Sequence, residues 1–350
     1  PIRLTRELGS LHNASAGVSV AWRAFDFGAR SVRIAAAKAL VNASKASKKD
    51  RRAKVAYAAR AAYLAALFFR DVEKTTQRSL MVAQRELRDN VVKNKAGLGN
   101  DLDVARSRMR VAELSARLVE ARQGGHRALI NLRLLMGLKK GAELKLTDDL
   151  KSLGSRKPET PKDSRGHPLR QRLHALEQAA RLEHKRLGRS FWPTIDLVGS
   201  FKYQYPKNYF ETDTGGIAYM AGVRLTWNVF DGDLWRRRRR EAALKVREIQ
   251  AQDDAAKEEI ARRASDAHAK IRTARAAVKS AQKTLEAAKV YLNAAKASKK
   301  AGTGTALEVK KAADSVDKAR LALLKAYFDG AMAWAAHKLA QGQAAQETKT

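Results

Sequence analysis

The sequence predicts a mainly α protein with a smaller β portion of membrane-barrel type, its helices paired as long antiparallel hairpins. Three observations predict it. Residues 29–96 and 233–301 contain neither proline nor glycine. Segments at 16–24, 195–205 and 217–229 alternate apolar with polar or small residues. The chain also matches itself at one fixed shift.

The uninterrupted stretches predict helices of unusual length. At 1.5 Å per residue each spans about 100 Å, whereas helices of globular cores average about 12 residues. Such lengths belong to coiled coils or helical tubes. The second stretch carries its own seam: Ile260, Ala264, Ala267, Ile271, Ala274, Val278, Ala281, Leu285, Ala288, Leu292 and Ala295 follow steps of four and three without a break. That is a heptad stripe in which small alanines alternate with mostly large residues, so neighbouring helices can approach closely and interdigitate. Alanine also recurs off the seam, which suits a helix with partners on two sides.

Each long helix runs into Ala-Gly-x-Gly and then a helix of about 35 residues. Gly97 and Gly302 are placed to adopt the left-handed conformation that ends a helix. Asn100 or Asp101, and Thr303 or Thr305, can cap the helix that follows. Gly137 and Gly342 end the shorter helices. Residues 138–165, rich in Gly, Pro, Lys and Asp, read as an irregular connector. A helix over 168–189 leads to Phe191-Trp192-Pro193, where the chain turns into a strand.

In 217–229 the odd positions are Ile217, Tyr219, Ala221, Val223, Leu225, Trp227 and Val229, and the even ones are mostly small or polar. In 195–205 Ile195, Leu197, Phe201, Tyr203 and Tyr205 alternate with Asp196, Ser200, Lys202 and Gln204. In 16–24 the set is Val18, Val20 and Trp22. Period-two alternation over about 10 residues with aromatics near the ends suits a transmembrane barrel strand. Each strand alone also fits a half-buried soluble strand. Residues 206–216 form the hairpin loop between two of these strands. Trp22, Trp192 and Trp227 stand at strand ends, where they would form an interfacial belt or else plain core. Arg23, Asp196, Lys202 and Arg224 fall on the opposite face, which would line a lumen.

The repeat joins these elements. Ala16-Gly17-Val18 recurs as Ala221-Gly222-Val223, Trp22 as Trp227, Phe25-Asp26 as Phe230-Asp231, Ala96-Gly97 as Ala301-Gly302, and Gly137 as Gly342, always 205 positions on. Matches held in register over about 120 residues indicate duplication of a whole structural unit. The domains are therefore expected as a first repeat over 1–137, the connector 138–165, a second repeat over 166–342, and a tail over 343–350.

Composition excludes several classes. There is no cysteine, hence no disulfide, thiolate metal site or cysteine nucleophile. The histidines are scattered without metal spacing, and no P-loop, dinucleotide fingerprint or nucleophile motif occurs. Neither a metal, a cofactor nor a catalytic residue is expected. No apolar run is long enough for a transmembrane helix, and no secretory signal opens the chain. The net charge of +34 points by itself to an anionic partner. The run Arg236 to Arg240 would suit a phosphate or lipid headgroup near a membrane interface, or a solvated helix face.

Trp22-x-x-Phe25-Asp26-x-Gly28 and Trp227-x-x-Phe230-Asp231-Gly232, together with the two Ala-Gly-x-Gly tips and Phe191-Trp192-Pro193, resemble the outer-membrane efflux proteins of the TolC type over nearly the whole chain. The resemblance implies a homotrimer whose strands close one shared outer-membrane β-barrel and whose helices form a periplasmic tunnel. It implies tips, here Gly97, Leu98, Gly99, Gly302, Thr303 and Gly304, that meet a periplasmic adaptor (membrane fusion) protein linked to an inner-membrane transporter of the RND, ABC or MFS class. It also implies acidic residues around the aperture. Asp103 and Glu308 match such positions, but Lys311 stands where the next acid would be, so the lumen is expected to be cationic and to favour anions. The resemblance implies four strands per protomer. Three are found, and the repeat shift sets Pro1 opposite Pro206, so the first strand and the helix before it are expected to have been removed by truncation; nine strands would not close an antiparallel barrel. Two other readings remain at this stage: a basic helical nucleic-acid-binding protein, suggested by Lys45-Ala46-Ser47-Lys48-Lys49 and Lys296-Ala297-Ser298-Lys299-Lys300, and a soluble coiled-coil scaffold.

Overall fold

The computed structural model describes residues 14–139, 142–156, 166–205 and 215–342. In chain order the elements are β1 (Ala14–Phe25), α1 (Ala29–Lys95), α2 (Asp101–Met136), α3 (Leu150–Gly154), α4 (Pro168–Arg189), β2 (Thr194–Tyr205), β3 (Gly216–Thr226), α5 (Leu234–Lys300) and α6 (Ala306–Ala340). α1 and α5 have 67 residues each. Both end where the first glycine permits, not earlier.

The turns between paired helices explain the Ala-Gly-x-Gly motif. Gly97 and Gly302 sit at φ values of 72° and 79°, a region that costs other residues about 1–2 kcal/mol. The second glycine of each motif is small for another reason. A Cβ on Gly99 would stand 2.6 Å from the Asn94 amide nitrogen, and one on Gly304 would stand 2.9 Å from that of Lys299. Asn100 then caps α2 by accepting from the Leu102 amide at 2.7 Å. Thr305 caps α6 in a reciprocal box: its hydroxyl accepts from the Glu308 amide, and Glu308 Oε2 accepts from the Thr305 amide. Of the two capping candidates at each tip, Asn100 and Thr305 are the ones used. Gly137 and Gly342, both left-handed, close the shorter helices.

The heptad reading of α5 holds residue by residue. Every seam position from Ile260 to Ala295 is buried or partly buried.

The strand-to-helix elbows repeat too. Phe27 and Gly28 have φ values of 51° and 78°, and Gly232 and Asp233, their equivalents in the second half, have 64° and 70°. Each elbow places two successive residues in the left-handed region but supplies a single glycine, at opposite positions. An aspartate just before each elbow holds the helix start. Asp26 accepts from the amides of Gly28 and Arg30, and Asp231 accepts from that of Trp235 at 2.8 Å.

Two compact units divide the chain: Pro1–Lys45 with Gln171–Asp254, and Ala46–Arg170 with Ala255–Thr350. The first holds the sheet with the opening turns of α1 and α5 and most of α4. The second holds both tips, α2, α3 and α6. Each duplicated half contributes to both units, so repeats and compact units are different divisions of the chain. In the second unit Leu64 and Leu67 of α1, Leu150 of α3, Val278 of α5 and Tyr327, Ala331 and Ala335 of α6 form one buried cluster. The connector is not irregular throughout. It contains α3, and Arg70 fixes the segment before it by donating to the carbonyls of Leu146 (2.8 Å) and Asp148 (3.1 Å). Residues 206–214 of the loop expected over 206–216, and the expected tail at 343–350, lie outside the described residues.

Candidate functional site

The three strands form one antiparallel sheet in the order β1-β2-β3. Register decides what each face presents, because directly paired residues point to the same side. Val18, Phe201 and Tyr219 share one rung, and Trp22, Leu197 and Val223 share another. Ala16, Tyr203 and Ile217 share a third. Between them Gly17 pairs with Lys202, Ser19 with Ser200, and Arg23 with Asp196, which also pairs with Arg224. One face is therefore apolar and aromatic, and the other is polar. The register shifts between Arg23 and Phe25. This bulge at Ala24 returns Phe25 to the apolar face, opposite Ile195.

Nothing in the described chain covers the apolar face. Tyr219 is 85% exposed, and Val18 and Val223 are 69% exposed. A patch of this kind on a protein surface marks contact with lipid or protein, and among the described residues the outer edges of β1 and β3 have no strand partner. On the polar face Arg23 Nε donates to Asp196 Oδ1 at 2.9 Å. Arg224 faces the same aspartate from β3. With Lys202 this face carries three cations and one acid.

All three sequence-predicted tryptophans lie toward one end of the sheet, where β1 and β3 finish and β2 begins. Below them the elbows and α4 interlock. Phe27 stacks on Trp192 with ring centroids 5.3 Å apart. Trp227 Nε1 donates to the Phe191 carbonyl at 3.2 Å, and Trp235 Nε1 donates to that of Leu187 at 2.6 Å. Arg189 Nη1 donates to the Gly28 carbonyl at 2.7 Å. Arg186 donates to both oxygens of Glu183 through Nε and Nη2, and this hydrogen bonding holds the Glu183 carboxyl below the usual carboxylate range. Trp235 and Arg189 were not singled out in the sequence, although Asp231-x-x-x-Trp235 carries a helix-start signal.

At the tips Leu98 is 82% exposed, and Leu102 and Leu307 are exposed as well. Gly97, Gly99 and Thr303 are exposed, while Gly304 is partly buried. Of the residues expected at the aperture, Asp103 faces Arg106 at 3.5 Å, Glu308 closes the α6 cap, and Lys311 is exposed. About ten residues farther into α2 and α6 lies a cluster that sequence reasoning missed. Arg110 Nη2 donates to Asp317 Oδ2 at 3.1 Å, and its Nη1 pairs with Asp314 at the same distance without hydrogen-bond alignment. Ser79 of α1 donates to the other oxygen of Asp317.

Among the described residues no group of three or more His, Asp or Glu is arranged to hold a metal. No helix of the described residues is long and apolar enough to cross a membrane.

The outer membrane efflux protein family model matches residues 5–138 and 167–346. The chain belongs to the outer membrane efflux protein family. It is an efflux channel of the outer membrane, mainly helical with a small sheet. Similar solved structures share the fold. The outer membrane protein VceC of Vibrio cholerae is 17% identical, with a TM-score of 0.74 over 95% of this chain and 87% of that one. The CmeC outer membrane channel of Campylobacter jejuni is 14% identical, with a TM-score of 0.77 over 97% and 79%. The open MtrE outer membrane channel of Neisseria gonorrhoeae is 18% identical, with a TM-score of 0.75 over 97% and 82%. A search of the curated proteins found no significant match. The nucleic-acid and scaffold readings gain no support. Neither accounts for the exposed aromatic face.

Proposed function

We propose that three copies of this efflux channel close their strands into one shared barrel, and that their helices continue it as a periplasmic conduit. The observation that carries this reading is the sheet: an uncovered apolar face with two open edges. In water such edges invite aggregation. In a bilayer the same face meets lipid, and the edges must pair with neighbouring copies, because unpaired backbone groups do not survive in hydrocarbon. Residues 1–137 and 166–342 then act as two quasi-equivalent hairpins, with 138–165 as the connector and 343–350 as a tail.

The tips at Gly97, Leu98 and Gly99 and at Gly302, Thr303 and Gly304 meet a periplasmic adaptor. An inner-membrane transporter of the RND, ABC or MFS class supplies the energy, and the channel itself is passive, with no catalytic group and no nucleic-acid partner. Asp103, Glu308 and Lys311 border the aperture. Arg23, Lys202 and Arg224, offset by Asp196, face the lumen and favour anions.

Planar-bilayer recording tests this directly. The expected result is discrete conductance steps with a reversal potential displaced toward the anion. Steps with cation preference overturn the cationic lumen but not the channel; absence of any step overturns the channel reading.

A further inference from the structure

The junction between sheet and helices carries a basic cavity of about 310 Å³, set between the start of α1 and the end of α4. Arg23, Arg30, Arg33, Arg186 and Arg189 line it with Trp192, and Asp26 is its one acid. Two of these guanidiniums are already neutralised: Arg23 by Asp196, and Arg186 by Glu183. Asp26 is engaged by the amides of Gly28 and Arg30. Arg30 donates to a carbonyl, that of Arg23, and Arg189 does the same to Gly28. Arg30, Arg33 and Arg189 therefore have no carboxylate ion-pair partner among the described residues. Three such guanidiniums against the single carboxylate of Asp26 leave the cavity positively charged, and a helix start is the wrong end for Arg30 and Arg33. An anion in the cavity would offset both.

We propose that this cavity binds a phosphate-bearing headgroup, with Arg33 and Arg30 as its principal contacts, Arg189 as a further donor, and Trp192 against the ester portion. Guanidinium forks match phosphate oxygens in pairs. Trp192, Trp22 and Trp227 mark this end of the sheet as interfacial, which points to an anionic phospholipid of the adjoining leaflet as the source. This placement rests on the channel reading above. The site is the guanidinium cluster itself, since Asp26 already occupies the first amides of α1.

The test is native mass spectrometry of the full chain released from nanodiscs of mixed phosphatidylglycerol and phosphatidylethanolamine, with parallel thermal shifts in inorganic phosphate. The expected result is retained phosphatidylglycerol. The ratio of anionic to zwitterionic adducts should fall about tenfold in an Arg30→Ser, Arg33→Ser variant and recover in Arg30→Lys, Arg33→Lys. An Arg272→Ser, Arg275→Ser variant, altered at exposed positions of α5 outside the cavity, should keep the ratio. Stabilisation by inorganic phosphate that the Ser variant loses, without lipid retention, keeps the site but makes free phosphate its ligand. An inserted channel whose lipid profile is the same in every variant, with no phosphate effect, overturns the proposal. Failure to insert into any nanodisc counts against the channel reading, and the phosphate arm still decides the site.

Discussion

Arg110 and Asp317 lie 207 positions apart in sequence and 3.1 Å apart in the fold. Their contact ties the α1–α2 hairpin to α6 near the tips, with Ser79 completing the aspartate's hydrogen bonds. The Arg110 side chain is 8% exposed and that of Asp317 15%. Removing Asp317 leaves the buried Arg110 with only the more exposed Asp314, which lies at 3.1 Å without hydrogen-bond alignment, and that loss is costly. Asp317→Ala should lower unfolding stability by about 3 kcal/mol, and Ser79→Ala by about 1 kcal/mol. Replacing both charges, as Arg110→Met with Asp317→Leu, should be milder than Asp317→Ala alone. Denaturant titration of the three variants checks the order.

The elbows predict opposite effects at equivalent positions. Asp233 holds a φ of 70°, and its ion pair with Arg236 is exposed on both sides, so it contributes little. Asp233→Gly should stabilise by about 1 kcal/mol. Gly28→Ala should destabilise by about 2 kcal/mol, because a Cβ there would stand 2.5 Å from Arg189 Nη1 and displace it. Thermal unfolding distinguishes them by sign.

Acid should weaken the helix start at His167. Burial holds its imidazole below the ordinary 6.5; Asp50 opposes this, and Arg263 and Lys54 reinforce it. His167 Nδ1 accepts from the Leu169 amide at 3.2 Å, which requires that nitrogen to be unprotonated. The folded state thus binds the proton less readily than the unfolded chain. The contribution to stability is present above 6.5 and is lost as pH falls from there through the folded value. His167→Gln should remove that slope, as read from melting temperature against pH.

Leu98 should matter to export and not to folding. It is 82% exposed, so Leu98→Glu should leave the melting temperature unchanged while abolishing capture of the adaptor by the purified channel. A variant that melts early would place Leu98 in packing instead.

Single-tryptophan variants retaining Trp22 or Trp227 should be quenched strongly by lipids brominated near the headgroup and weakly by lipids brominated at the chain end. A variant retaining Trp334, which is 8% exposed, should respond to neither.

The legible part of the fold was local or periodic. The α5 seam, the tip glycines, the caps at Asn100 and Thr305, and the alternating strands follow from spacing that backbone geometry imposes within a few residues. The apolar sheet face was readable for the same reason, once register aligned Val18, Phe201 and Tyr219. What stayed hidden depends on contacts between distant segments. Nothing near Arg110 announces Asp317. Nothing near Arg70 announces the carbonyls of Leu146 and Asp148. α3 is short enough that tertiary packing of Leu150 decides it. The positive φ of Phe27 could have been found through the repeat, since it occupies the position of Gly232. The basic cavity was half visible: the arginines stood in the sequence, but which of them keep no acid did not.

Single-particle electron microscopy of the detergent-purified chain tests the central claim most directly. The account predicts a three-fold assembly with the strands inside a detergent belt at one end and the tips free at the other. A monodisperse monomer or dimer without a belt would contradict it.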